Sequence, residues 1–202
     1  MSHDFWNERY RQAEHLYSDQ ANEFLKDFFT KQGQKGEVLV PGDGDGRNGL
    51  WLARQGFSVS AVDYSEVAVA KGMQRAQREG LAYHSQAQSV ENWQPEENRY
   101  DYAALIFLHL PKDLMQQTLD KILVALRPGA SLIIEVFSQD QLQRSSGGPK
   151  DLGLLYQTLD FEKLKAHFAR HRLEQRDCYL QEGPLHTGDA SVINFIGYDL
   201  QK

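Results

Sequence analysis

The segment Val38-Leu39-Val40 runs directly into Pro41-Gly42-Asp43-Gly44-Asp45-Gly46-Arg47-Asn48-Gly49. An apolar strand that empties into a glycine loop and then a helix is the opening of an α/β unit. Glycine there lets the backbone turn tightly and lie close to whatever the loop holds. Beyond the loop the chain alternates. The pattern predicts a short helix Leu50–Arg54, a strand Phe57–Val62, and a helix from a Ser65 cap through Ala68, Ala70 and Ala76 to a Gly80 stop. A strand Tyr83–Ala87, a strand Tyr102–Leu108, a helix opened by Pro111 and a strand Ser131–Phe137 complete it. Continuous apolar strands between helices read as a parallel sheet covered on both faces.

The flanks differ in style. Upstream, Phe24, Leu25, Phe28 and Phe29 share one face of a helix with Ser18 or Asp19 as N-cap, ended by Gly33 and Gly36. Downstream, Ser145-Ser146-Gly147-Gly148-Pro149 is a loop, and Phe161–Phe168 reads as a helix capped by Asp160. Two alternating segments, Leu173–Gln181 and Ala190–Leu200, joined through Gly183-Pro184 and Gly188, read as an antiparallel hairpin at a sheet edge. The expectation is a seven-stranded, mostly parallel sheet ending in that hairpin. It forms a single domain over 1–202, with an N-terminal lid segment 1–35, a core 36–140 and an acceptor-side segment 141–202.

Composition bounds the partners. The chain has 202 residues, 41% hydrophobic and 25% charged, as expected for a globular protein with a real core. Twenty-two Lys and Arg against 28 Asp and Glu give a net charge of −6, without the basic face that phosphate binding requires. No nucleic-acid partner is expected. No apolar run approaches the ~18 residues of a membrane span, and Met1-Ser2-His3-Asp4 shows no secretory signal. With one cysteine, Cys178, no internal disulfide and no metal site is expected, and a reducing cytoplasm is the expected compartment.

The loop admits two frames. Gly44-x-Gly46-x-x-Gly49 formally matches a dinucleotide fingerprint, which would make the chain a nicotinamide-dependent oxidoreductase. That frame begins too far beyond the strand end. The frame that starts correctly, at Gly42, puts Arg47 where a small residue is wanted. Asp43 and Asp45 would also repel a pyrophosphate. S-adenosylmethionine (SAM) suits the loop better, being a nucleoside without phosphate that carries a sulfonium. Its ribose needs an acceptor, and Asp63 closes the second strand about 20 residues beyond Gly42. Asp63 is alternatively only the start of a helix cap.

Val38–Asn48, Ser60–Ser65 and Leu126-Arg127-Pro128-Gly129-Ala130-Ser131-Leu132-Ile133-Ile134 resemble the class I SAM-dependent methyltransferases, whose fold is Rossmann-like. Trp6 and Tyr10, Gly46-Arg47-Asn48, and Gly183-Pro184-Leu185-His186 resemble the tellurite-resistance (TehB-like) branch, related in style to thiopurine methyltransferases. The chain departs from the family in having Val40 where a strand-end acid is common. The resemblance implies a cofactor site of Gly42, Asp43, Gly44, Gly46, Arg47, Asp63, Tyr64 and Phe107. It places adenine against Gln88 and Ser89, with Gln88 able both to donate and to accept. Trp6, Tyr10 and Tyr17 either form a lid over the sulfonium or anchor the N-terminal segment on the core.

The implied reaction is methyl transfer to a small molecule, best matched by a thiol or chalcogen compound, because such acceptors are partly ionised near neutrality and need little base. A non-catalytic SAM-binding protein remains the other reading. Among seven histidines, the resemblance singles out His186 as catalytic, as a base or a positioning group; the alternative is an exposed histidine of the hairpin turn. His109 either lines the pocket or is a hydrogen-bonded histidine near a helix start, while His15 and the others have nothing comparable around them. Arg144 and Lys150 either draw an anionic acceptor or solvate the surface.

Overall fold

The computed structural model describes residues 3–12 and 16–202; the expectations for Met1-Ser2 and for His15 lie outside the described residues. Helices α1 (His3–Gln12) and α2 (Glu23–Phe29) precede β1 (Glu37–Pro41), α3 (Arg47–Arg54), β2 (Ser58–Asp63), α4 (Glu66–Glu79) and β3 (Tyr83–Ala87). Next in the chain come β4 (Tyr100–Ile106), α5 (Lys112–Ala125), β5 (Leu126–Phe137), β6 (Phe168–Gln181) and β7 (Thr187–Leu200). The sheet has seven strands in the order β3-β2-β1-β4-β5-β7-β6. β1 to β5 pair in parallel, and β7 runs antiparallel to both β5 and β6. The strand order reverses between β1 and β4, which is where an open α/β sheet leaves a crevice at its carboxyl edge.

Alternation along the strands splits the core. Leu39, Leu105, Leu132 and Ile134 face α5 through Met115, Leu119 and Ile122, together with Phe161 and Leu164. Val38, Val40, Ala104 and Ile133 face the other way, onto Leu25, Phe28 and Phe29 of α2 and Leu50, Leu52 and Ala53 of α3. Each such buried aliphatic side chain contributes roughly 1.5–3 kcal/mol. Among the described residues, no helix is long and apolar enough to cross a membrane.

Several boundaries differ from the sequence reading, each for a local reason. The α2 cap is Asn22, whose side chain accepts from the Leu25 N–H at 2.9 Å, because the Ser18 hydroxyl is spent in its own turn with Gln20. Helix α3 starts at Arg47 rather than Leu50, since Gly46 at φ +89° turns the loop straight into it. Strand β4 stops at Ile106, two residues early, because Phe107 adopts φ +52°. The expected helix 161–168 is a 3₁₀ helix, Thr158–His167, opened by a capping box of Gln157 and Asp160, and Phe168 already belongs to β6. Both hairpin strands are longer than the alternation indicates. The Ser65 cap and the Gly80 stop are as expected, with Ser65 accepting from the Ala68 N–H and Gly80 left-handed at φ +64°.

Candidate active site

The glycine loop is a backbone cradle. The Gly42 N–H donates to the Val62 carbonyl at 2.7 Å, and Gly42, Gly44 and Gly46 all have positive φ. A Cβ on Gly44 would collide with the Tyr10 hydroxyl. Asp43 turns inward, accepting from the Gly49 N–H at 3.1 Å and from the Tyr83 hydroxyl at 3.1 Å. Burial pushes its carboxyl up to about 7. Asp45 pairs with Arg75 at 3.1 Å. Both loop acids therefore have partners inside the fold.

Asp63 ends β2 with one oxygen accepting from the Gly44 N–H at 2.8 Å and the other from the Ser65 N–H at 2.8 Å. Burial raises its pKa, opposed by those bonds. A carboxylate has about four lone-pair sites, so Asp63 keeps acceptor capacity beyond its backbone bonds from Gly44, Ser65 and Tyr64. Helix α1 docks beside it: the Asn7 side-chain carbonyl accepts from the Ser65 hydroxyl at 2.6 Å and the Val67 N–H at 3.3 Å, and Lys71 donates to the Tyr10 carbonyl.

A cavity of about 870 Å³ opens along this edge. From the β2–β3 side it is lined by Asp63, Tyr64, Ser89 and Glu91, and from the loop by Gly42, Asp43 and Arg47. Trp6, Arg9, Tyr10 and Tyr17 line it from the N-terminal segment. Phe107, His109, Phe137, Leu154 and His186 line it from the β4–β5 side and the last third of the chain, with Gly147 to Asp151.

The wall on that side is aromatic. Phe107 stands 4.5 Å from Phe137 between ring centroids, and His186 meets both edge-on at 4.7 and 5.3 Å. Tyr17 tilts over His186 at 4.7 Å. The His186 Nδ1 is buried without a hydrogen-bond partner. Burial, then the Arg47 and His109 charges, bring the pKa of His186 down to about 3. His109 lines the cavity and is also hydrogen-bonded, its Nδ1 donating to the Leu154 carbonyl at 2.8 Å. Burial lowers it to about 4. Both imidazoles are neutral near pH 7.

The structure thus gathers Trp6, Tyr10, Gly42, Asp43, Arg47, Asp63, Tyr64, Ser89, Phe107 and His186 around one cavity. Gly44 and Gly46 shape the loop behind it. Gln88 is not among the lining residues; its amide donates to the Asn92 carbonyl at 3.2 Å. Arg144 is paired with Asp177 at 2.7 Å, whereas Lys150 lines the cavity. The sequence reading missed Phe137, Glu91 and Leu154. Phe137 had a signal, as the last residue of a strand on the carboxyl edge. Leu154 had none, since a 3₁₀ turn places it.

These residues fit SAM. Asp63 retains acceptor capacity for ribose hydroxyls, the glycines leave room for a close approach, and Trp6, Tyr10 and Tyr17 offer aromatic faces to a sulfonium.

Comparison with known proteins agrees. The profile of the thiopurine S-methyltransferase family matches residues 1–184. A thiopurine S-methyltransferase of Legionella pneumophila (strain Philadelphia 1) is 29% identical over 178 residues, covering 76% of this chain and 80% of that protein. The strain Corby protein is 27% identical over 179 residues, with the same coverage of 76% and 80%. Among solved structures, TehB from Haemophilus influenzae superposes with a TM-score of 0.69 at 17% identity, over 88% of this chain and 62% of that one. A phosphoethanolamine N-methyltransferase of Haemonchus contortus, solved with S-adenosylhomocysteine, superposes at 0.66 and 15% identity, over 88% and 52%. Those two likenesses concern the fold. The family match spans residues 1–184, and by it this SAM-dependent methyltransferase belongs to the thiopurine S-methyltransferase family.

Proposed function

We propose that the acceptor is a small thiol or related chalcogen compound, methylated at the chalcogen atom. The observation that carries this is the wall formed by Phe107, Phe137, His109 and His186, which is aromatic and whose two imidazoles are weak bases, lowered to about 4 and about 3. Asp151, which also lines the cavity, accepts from the Gly153 N–H at 2.8 Å through one oxygen. An alcohol or an ammonium acceptor needs a base at that wall. A thiol, with an ordinary pKa near 8.5, reaches the wall partly ionised at neutral pH. The names of the Legionella relatives, S-methyltransferases, point the same way.

When bound, SAM supplies a sulfonium methyl whose bond electrons return to the departing thioether as the acceptor's lone pair takes the carbon. In this proposal Asp63 receives the ribose hydroxyls, Gly42 to Gly46 pass beneath the cofactor, and Ser89 borders adenine. Trp6 and Tyr10 cover the sulfonium and keep water out. Phe107 and Phe137 would hold the acceptor and His186 would orient it, so that positioning would be the main source of rate. Residues 36–140 hold the cofactor and give Phe107, His109 and Phe137 to the acceptor wall, 141–202 complete that wall with Leu154 and His186, and Trp6, Tyr10 and Tyr17 cover both.

The test is an acceptor panel of thiophenol, sulfide, phenol and aniline with methyl-labelled SAM, read by mass spectrometry. Label on thiophenol or sulfide is expected. Label on phenol or aniline alone would overturn the proposal.

A further inference from the structure

We propose that Glu182 is a positioning residue that ties the cofactor loop to the turn carrying His186. Glu182 is buried at 3% exposure, and it does not line the cavity. Its side chain grips the cofactor side. One carboxylate oxygen accepts from the Arg47 guanidinium at 2.9 Å, at the start of α3 directly behind the glycine loop. The other accepts from the Asn22 amide at 2.8 Å and the Glu23 N–H at 3.3 Å. Asn22 is itself fixed, its N–H donating to Asn48 at 2.9 Å and its amide to Glu135 at 2.6 Å.

The backbone of Glu182 grips the acceptor side. Its N–H donates to the His186 carbonyl at 2.8 Å, closing the turn, and its carbonyl accepts from the Ser18 N–H at 3.2 Å. Ser18 follows Tyr17, whose ring packs on His186 at 4.7 Å and lies under the Arg47 guanidinium at 5.7 Å. A single residue thus sets the distance between the loop that holds the cofactor and the imidazole that faces the acceptor. Stability alone is a poor reason for such a pair, because a buried ion pair is often replaced by apolar residues at little or no cost. Its position between the two halves of the site is what the pair contributes.

The inference rests on the proposed methyl transfer for its kinetic arm only. Hydrogen exchange of the amides, followed by mass spectrometry on SAM-bound protein, needs no acceptor. In Glu182→Gln, peptides covering Ser18 and 182–187 should exchange about tenfold faster while those of α5 are unchanged. With thiophenol, KM should rise about tenfold and kcat should fall about tenfold, a modest misplacement effect, with SAM affinity within about threefold. The double variant Arg47→Met/Glu182→Gln, which leaves neither charge unpaired, should recover the unfolding midpoint but not the kinetics. Wild-type kinetics in either variant, or faster exchange spread evenly over the chain, would overturn the proposal. If wild-type enzyme labels sulfide but not thiophenol, the kinetic arm is run with sulfide; if it labels neither, the thiol reading fails and the exchange arm decides this one.

Discussion

Asp63 carries the most weight of any single residue, because it serves the fold and the ligand together. Its oxygens already hold the Gly44 and Ser65 N–H groups, so the loop and α4 are fixed relative to the same carboxylate that faces the cavity. Asp63→Ala should weaken SAM binding by ~1.5–3 kcal/mol in calorimetry through lost charge-assisted hydrogen bonds; unchanged affinity would remove Asp63 from the site. His186 makes a different prediction. His186→Ala should lower turnover about 100-fold while SAM affinity stays within about twofold, because the acceptor is no longer oriented. With a pKa near 3, the imidazole gains no proton between pH 6 and 9, so the deficit should be flat across that range. A deficit that grows steadily toward low pH would make it a base. The place of Asp63 at the cavity was legible in the sequence as a strand-end acid, and that of His186 only through the family resemblance of its Gly-Pro-Leu-His turn. The network around Glu182 was not, because Asn22 meets Glu135 and Glu182 across 113 and 160 residues, and no local pattern marks such partners.

At the scale of elements, the glycine loop separates conformational strain from ligand geometry. Gly44 and Gly80 both lie in the left-handed region, at φ +60° and +64°. Around Gly80 a Cβ would meet nothing within 4 Å, whereas at Gly44 it would strike the Tyr10 hydroxyl. Gly80→Ala should therefore cost roughly 1 kcal/mol of stability and leave SAM affinity intact. Gly44→Ala should also displace α1 and weaken SAM binding at least tenfold; equal affinities for the two variants would show that Tyr10 does not cover the cofactor. Alternating strands and capped helices were readable because each obeys its own period. The 3₁₀ helix was not. Phe161 and Leu164 are buried while Leu159 is 74% exposed, a spacing of three that a short 3₁₀ segment satisfies as well as an α-helix does. The α2 cap was likewise misplaced, since Ser18, Asp19 and Asn22 are all good caps and only the surrounding network favours Asn22.

For the whole molecule, the buried ionisable groups of the cavity set how stability varies with pH, and they oppose one another. His186 and His109 are held at about 3 and about 4, below the ordinary 6.5. The unfolded chain therefore binds their protons first, so the stability they confer is whole above pH 6.5 and is lost as pH falls toward 4 and 3. Asp43 is held at about 7, above its ordinary 3.8. Its contribution is whole below 3.8 and is lost as pH rises through 7. Asp63, also raised by burial, acts with the same sign as Asp43. On acidification below pH 6.5 the two histidines thus oppose these carboxyl groups, and each proton carries up to ~1.4 kcal/mol per pH unit. His186→Phe removes one group that destabilises on protonation, so relative to the wild type the ligand-free protein should gain stability on acidification from pH 6.5 to 5. Asp43→Asn removes one opposing carboxyl and should move the change the other way, toward loss of stability relative to the wild type. Denaturant unfolding of all three proteins at pH 6.5 and pH 5 reads both signs at once, and equal slopes for all three would mean that neither group titrates as its burial requires.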